Sequence, residues 1–416
     1  LIVAEAKQPA LADLVLANTG QTEAEKVTDF IWMVHDSSNA YLVTTDDGDV
    51  MINTGFSPNA QKNVALLAPH RTGPLRTIVL TQSHADHYGG LNTFREAGTT
   101  VIGGPGFAEA HRDMTDLQAF FGPRTMKLWG AVLGNGVRPP DPGPIEPDLF
   151  VDREMTLELG QRTFQLISTP EGETVDSLVV WMPKEKVVFI GNVHGPVWLS
   201  FPFLNTLRGD KPRLVRNYLA AMRRIRDLGA DLLITGHGQP IFGAAQIRAD
   251  LTRMIEAVEW VRDYTLGGMK AGKDVHALMR EIELPEALRI GEFHGKASWA
   301  VKSIWREYSG WFHYEDGTTE LYGVPRRAVH ADIAALAGGA DKLAARARQR
   351  LDAGEPLEAL HLVEIALNAD PAERSALEVK RDASAHLLER SGSQNLSETM
   401  WLRSEIAECE AVIAKG

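Results

Sequence analysis

Short apolar runs divided by turn residues mark the first half of the chain. Between residues 29 and 53, "FIWMVHD", "NAYLVTT" and, after the turn at Asp46–Asp49, "DVMINTG" read as two or three strands. "RTIVL" reads as a short buried strand, "LNTFREAG" as a helix with a glycine stop, and "TTVIGG" as a further strand. Residues 104–150 are rich in Gly and Pro and include "GNGVRPPDPGPIEP"; a long loop or lid is expected there. Strands resume with "MTLELG", "RTFQLIST", "DSLVVWMP" and "KVVFIGN". The helix "RLVRNYLAAMRRIRDLG" and the strand "DLLITGHG" follow. Strands mixed with helices through about residue 240 predict an α/β domain. From about residue 243 the apolar spacing turns helical, and the last four helical stretches resemble stacked hairpins without a strict repeat. The pattern predicts two domains, 1–245 and 246–416, meeting in a linking helix.

Composition narrows the function. A length of 416 residues suits two domains, and 44% hydrophobic content is ordinary for a globular protein. The net charge of −12 argues against a nucleic-acid partner. No apolar run approaches the length of a membrane span. Cys409 is the only cysteine, which excludes an internal disulfide and a thiolate metal cluster. The chain begins at Leu1 rather than Met, which leaves a removed leader, and a cytoplasmic or periplasmic location, open.

"TIVLTQSHADHYGG" then stands out. An apolar run ends, and Gln82, His84, Asp86 and His87 follow within six residues. Imidazole and carboxylate are the usual ligands of zinc-like ions where cysteine is scarce. Three later stretches place similar chemistry beside strands: "STPEGETVDSL" with Glu173, "VVFIGNVHG" with Asn192 and His194, and "LLITGHGQP" with His237. Loops at one edge of a sheet bring such residues together.

In order and strand context these stretches resemble the metallo-β-lactamase superfamily over roughly residues 29–243. Its signature is H-x-H-x-D-H, a histidine in a G-H-T turn, an aspartate after a strand, and a histidine in a G-H-G turn. Glu173 at the third ligand turn, and "TLRG" (Thr206–Gly209) followed by Arg213, resemble the alkylsulfatase branch. So does "LPEALRIGEFHGKASWAVKSIWREYSGWFHYEDG", which is similar to the start of that branch's dimerisation domain. The resemblance implies an αβ/βα sandwich followed by an all-α dimerisation domain, and a homodimer. It implies one metal position at Gln82, His84 and Glu173, a second at Asp86, His87 and His237, and Asn192 between them. Zn2+ is the expected ion, one or two per chain, with other divalent metals as alternatives.

Two residues depart from the branch. Gln82 stands where the first histidine belongs, and Asn192 stands where the branch has a glutamate that bridges two metals. A neutral amide is a weak donor, and asparagine brings no charge to hold two cations about 3.5–4 Å apart. The Asp86/His87/His237 position is therefore the more secure. Some superfamily members carry the same glutamine and remain active, so a two-metal site stays open. Asp86, Asn192 and His194 are the catalytic candidates. Arg208 and Arg213 match the branch's sulfate-contacting arginines, and guanidinium binds oxyanions in a bidentate manner. Pro202 and Phe203 replace a histidine–asparagine pair, so Trp198, Phe201 and Phe203 are candidates to line an apolar substrate pocket. His313 replaces the acidic residue usual after "GWF". The expected function is metal-dependent hydrolysis of a sulfate ester or related bond in a small molecule with an apolar part. The alternatives are a metal-dependent lyase on an aromatic or lipid-like molecule, and a binding protein with an eroded site.

Overall fold

The computed structural model describes residues 20–133 and 145–415. The strands are β1 (Glu25–Lys26), β2 (Ile31–Val34), β3 (Ala40–Thr45), β4 (Gly48–Ile52), β5 (Leu75–Val79), β6 (Thr100–Gly103) and β7 (Leu149–Phe150). They form a seven-stranded sheet in sequence order. β8 (Glu154–Leu159), β9 (Arg162–Ser168), β10 (Leu178–Met182), β11 (Val187–Phe189), β12 (Leu232–Ile234) and β13 (Ile241–Phe242) form a second sheet of six strands.

Side chains on a strand point alternately to opposite faces. Ile31, Met33, Tyr41, Val43, Val50 and Ile52 from the first sheet share one buried cluster with Phe164, Leu166, Leu178, Val180, Phe189 and Ile234 from the second. That cluster is the layer between the sheets. The alternate residues Val34, Leu42, Met51 and Ile78 face outward, into a cluster with Leu67 of helix α1 (Ala60–Leu67) and Leu91 and Phe94. Val179, Trp181, Val188 and Leu233 face outward on the other side, against α6 (Val215–Asp227). Here α2 is Ala85–Tyr88, α3 Leu91–Phe94, α4 Phe107–Asp116 and α5 Gln118–Leu133. The layers are therefore helix, sheet, sheet, helix, and the strands buried on both faces read as the continuous apolar runs of the sequence. Full burial of each such side chain stabilises the fold by about 1.5–3 kcal/mol.

One expectation changes. Residues 107–133, expected within a loop or lid, form α4 and α5; Gly106 enters α4 at φ 117°, and Pro123 lies inside α5. Most of "GNGVRPPDPGPIEP" (residues 134–144) lies outside the described residues. The helices that follow residue 243 pack in part on the second sheet. α7 (Ala244–Lys270) and α9 (Ala297–Ser309) contribute Leu251, Met254, Val258, Val301 and Ile304 to the outer cluster of the second sheet, with α8 (Val275–Glu281) adding Leu278. The first compact unit accordingly extends to Trp305. Helical periodicity locates these helices but not the face on which they pack.

The second compact unit comprises Thr125–Ala131 and Arg306–Gly416. It holds α10 (His330–Leu336), α11 (Ala340–Asp352), α12 (Pro356–Ala369), α13 (Arg374–Arg390) and α14 (Leu396–Ile413). Ala344, Ala347, Ala359, Ala366 and Ala376 dominate its core, so small side chains let the helices approach closely. Asn395 caps α14 by accepting the Glu398 N–H at 3.1 Å.

Candidate metal centre

The parallel pairs β4–β5 and β11–β12 carry the chain to one edge of the sandwich. Past β5, Thr81 N–H donates to Asn53 Oδ1 (2.9 Å) and fixes the start of the loop. His84 is still extended (φ −85°, ψ 139°) and directly precedes the single turn of α2, which carries Asp86 and His87. After β11, Gly191 turns the chain at φ 53°; a Cβ there would lie 2.7 Å from Thr81 Oγ1. After β12, Gly236 leaves room for the site itself. A Cβ on it would come within 2.2 Å of Asn192 Oδ1 and 2.8 Å of His87 Cε1.

These turns bring Asp86, His87 and His237 together, with one ligand atom of each within 4.8 Å of the others. His237 Nε2 lies 3.7 Å from Asp86 Oδ2. His87 is fully buried, and its Nδ1 is 3.1 Å from Ser38 Oγ. The Ser38 hydroxyl also donates to the Gly236 carbonyl (3.0 Å), and Asn53 Nδ2 lies 3.0 Å from His87 Nδ1. These contacts all fall on Nδ1, whereas Nε2 has no protein partner although it is buried. Asn192 Oδ1 is buried and unpartnered as well, while its Nδ2 lies 3.1 Å from His237 Nε2. Burial pushes His87 down to about 3 and lowers His237 too, so both rings are neutral at pH 7, the form that ligates metal. Burial opposes the charge on Asp86, but His87, His237, His84 and Arg208 outweigh it and hold the carboxyl below its ordinary range. Two imidazoles, one carboxylate and two orphaned buried atoms fit a divalent ion.

The other expected residues divide. Gln82, His84 and Glu173 are neighbours: Gln82 Nε2 lies 2.6 Å from His84 Nδ1, and Glu173 Oε1 lies 3.8 Å from the same nitrogen. Arg213, expected to meet substrate, is buried and grips Glu173 with two bonds of 2.5 Å, Nε to Oε2 and Nη2 to Oε1; its Nη1 donates to the Phe203 carbonyl at 2.9 Å. Arg208 Nη2 donates to Asp210 Oδ2 at 3.2 Å, and its Nε is buried without a partner. His194 stacks on Trp198 (centroids 4.2 Å apart) and accepts the Leu199 N–H at 3.3 Å; burial pushes it down to about 3. Trp198 Nε1 donates to Asp250 of α7. Phe201 is a core residue, and Phe203 packs on His294 and Trp299.

Known proteins carry the same plan. Residues 34–237 match the metallo-beta-lactamase superfamily, and residues 275–405 match the alkyl sulfatase dimerisation family. A linear primary-alkylsulfatase from Pseudomonas sp. is 25% identical over 89% of this chain and 73% of its own length. An alkyl/aryl-sulfatase from Saccharomyces cerevisiae is 25% identical over 86% of this chain and 59% of its own. The solved stereoselective inverting sec-alkylsulfatase from Pseudomonas sp. superposes with a TM-score of 0.81 at 20% identity, over 93% of this chain and 65% of that one. The chain is a metallo-beta-lactamase domain followed by an alkylsulfatase dimerisation domain. It spans about three fifths to three quarters of the length of these relatives.

The first compact unit also holds site residues that the sequence did not single out. Asp210 is 3.0 Å from His84 Nε2. Burial works against its charge, but His84, Arg208 and Arg213 hold its carboxyl well below the ordinary range. Asp176 accepts from Ser83 Oγ at 2.7 Å and ties down the ligand loop. His294 reaches the site from the stretch before α9; burial, then Arg213, His237 and Arg208, push it down to about 3. Ser38 and Asn53 orient His87 from the ends of neighbouring strands. A lone Ser, Asn or Asp in a turn carries no signal of such a role. The one available clue for Asp210 was its place directly after "TLRG". In the dimerisation domain His313 pairs with Glu320 at 2.8 Å.

Proposed function

We propose that this chain is a metal-dependent hydrolase of sulfate esters carried on a small molecule with an apolar part. The observation that supports it most is the Asp86–His87–His237 cluster with the orphaned Nε2 of His87. The nitrogen and oxygen donors suit zinc. A bound ion there supplies Lewis acidity toward water and toward an ester oxygen. The chain's own residues do the rest. Asp86 contributes the negative charge that offsets the cation. Ser38 and Asn53 hold the His87 ring by Nδ1. Arg208 keeps an unpartnered Nε–H beside the cluster, a donor suited to a sulfate oxygen. Arg213 is a positioning residue, because both Glu173 oxygens occupy its fork. In the dimerisation domain Trp311, Tyr314 and Tyr322 are 72%, 85% and 70% exposed, and we assign that face to a homodimer. Among the described residues no helix is long and apolar enough to cross a membrane.

The test is sulfate release from a panel of alkyl and aryl sulfates, with phosphate esters, carboxylic esters and lactones alongside. Sulfate esters are expected to turn over, to stop after chelation, and to recover with zinc. A metal-loaded protein that cleaves carboxylic esters or lactones and no sulfate ester would remove the sulfatase reading.

A further inference from the structure

We infer that this chain holds one metal ion, not two, and that the Gln82–His84–Glu173 position is closed by the chain's own hydrogen bonds. The inference rests on the metal reading of the Asp86–His87–His237 cluster.

The argument begins with the direction of one amide. The backbone N–H of Asn192 donates to Gln82 Oε1 at 3.0 Å. A backbone N–H can only donate, so the carbonyl end of Gln82 is committed there and its NH2 end is left facing His84 Nδ1 at 2.6 Å. Both ring nitrogens of His84 are therefore engaged: Nδ1 by the Gln82 NH2 group, and Nε2 by Asp210 Oδ2 at 3.0 Å and Arg208 Nη2 at 2.9 Å. The Nδ1 atom that faces Glu173 is already covered by an N–H. Glu173 supplies no spare charge either, since Arg213 donates to each of its oxygens. The local charges balance: Glu173 and Asp210 against Arg208 and Arg213. A dication placed there would meet an N–H, a paired carboxylate and two guanidinium groups. No negatively charged side chain links it to the first ion, since Asn192 is neutral. At the neighbouring position His87 Nε2 and Asn192 Oδ1 are buried without any partner.

The experiment is a zinc count per chain by plasma mass spectrometry. The full-length protein is stripped with chelator, reloaded with excess zinc and freed of loose ion by gel filtration. About one zinc per chain is expected for wild type and for His84→Ala, with none retained by Asp86→Ala. Circular dichroism checks each fold, and the wild-type count needs no variant. Two tightly held ions in wild type would overturn the inference, as would loss of the ion from a folded His84→Ala. A wild type that retains no zinc removes this inference and the metal reading together. One ion with no sulfate release removes only the sulfatase reading.

Discussion

The Asp86–His87–His237 position and the Gln82–His84–Glu173 position share one loop but differ in how far the chain satisfies their donor atoms. At the first, Ser38 and Asn53 hold His87 by Nδ1 and leave Nε2 bare, and Asn192 keeps a bare Oδ1 although its Nδ2 meets His237 Nε2. At the second, the contacts fall on the donor atoms themselves, through Gln82 to His84 Nδ1 and Arg213 to Glu173. Residue type alone does not make a ligand. The lone pair must be left over after the chain has satisfied itself, which is a property of the neighbours.

The largest effect that separates the two positions is expected from Asp86→Ala and His237→Ala. Each removes one of three donors, and two are too few to hold a catalytic ion with an open site. Activity toward whichever ester the panel identifies should fall on the order of 10³-fold or more, about 4 kcal/mol in the barrier. Steady-state kinetics beside a zinc count checks this. Full activity with full metal in His237→Ala would end the metal reading of the site.

How far the sequence carried this result depends on the range of the signal. The two sheets were legible because buried strands read as apolar runs between turns, as in "RTIVL" and "KVVFIGN". The Asp86–His87 pair was legible because ligands adjacent in sequence announce themselves, and His237 because a glycine turn frames it. The pairing of Arg213 with Glu173 was not, since it joins residues forty positions apart. A motif names a residue type but not the atom it faces. Helices α4 and α5 were hidden by the Gly- and Pro-rich stretch after them, and Pro123 argued against the second. The packing of α7 and α9 on the first unit was missed because a helical period shows an apolar face without showing what covers it.

The next effect is one of stability and probes the closed side of the comparison. Arg213→Met keeps the side-chain volume but leaves Glu173 buried and unpaired. Losing one partner of such a pair costs about 3–5 kcal/mol. A lower urea midpoint with an unchanged slope would show it, and Glu173→Gln/Arg213→Met should recover part of the loss. A cost near zero would mean that Glu173 does not depend on Arg213, and the neighbouring position would then be open to a cation.

The smallest effect comes from trimming the support of each position. Ser38→Ala removes a hydroxyl that holds His87 by Nδ1 and also anchors the Gly236 carbonyl beside His237. The fold should survive, since the site is lost to a cavity of only one hydroxyl. Zinc affinity should drop about 10–100-fold, the usual cost of removing an orienting partner of a metal-bound imidazole. Gln82→Ala is the matching change on the other side. It strips the Asn192 N–H of its acceptor, at about 1 kcal/mol of stability, and should leave zinc affinity nearly unchanged. Competition against a fluorescent zinc chelator measures both variants in parallel. The comparison holds if Ser38→Ala weakens binding far more than Gln82→Ala. It fails if the order is reversed, because Gln82 would then be supporting a metal rather than occupying the place of one.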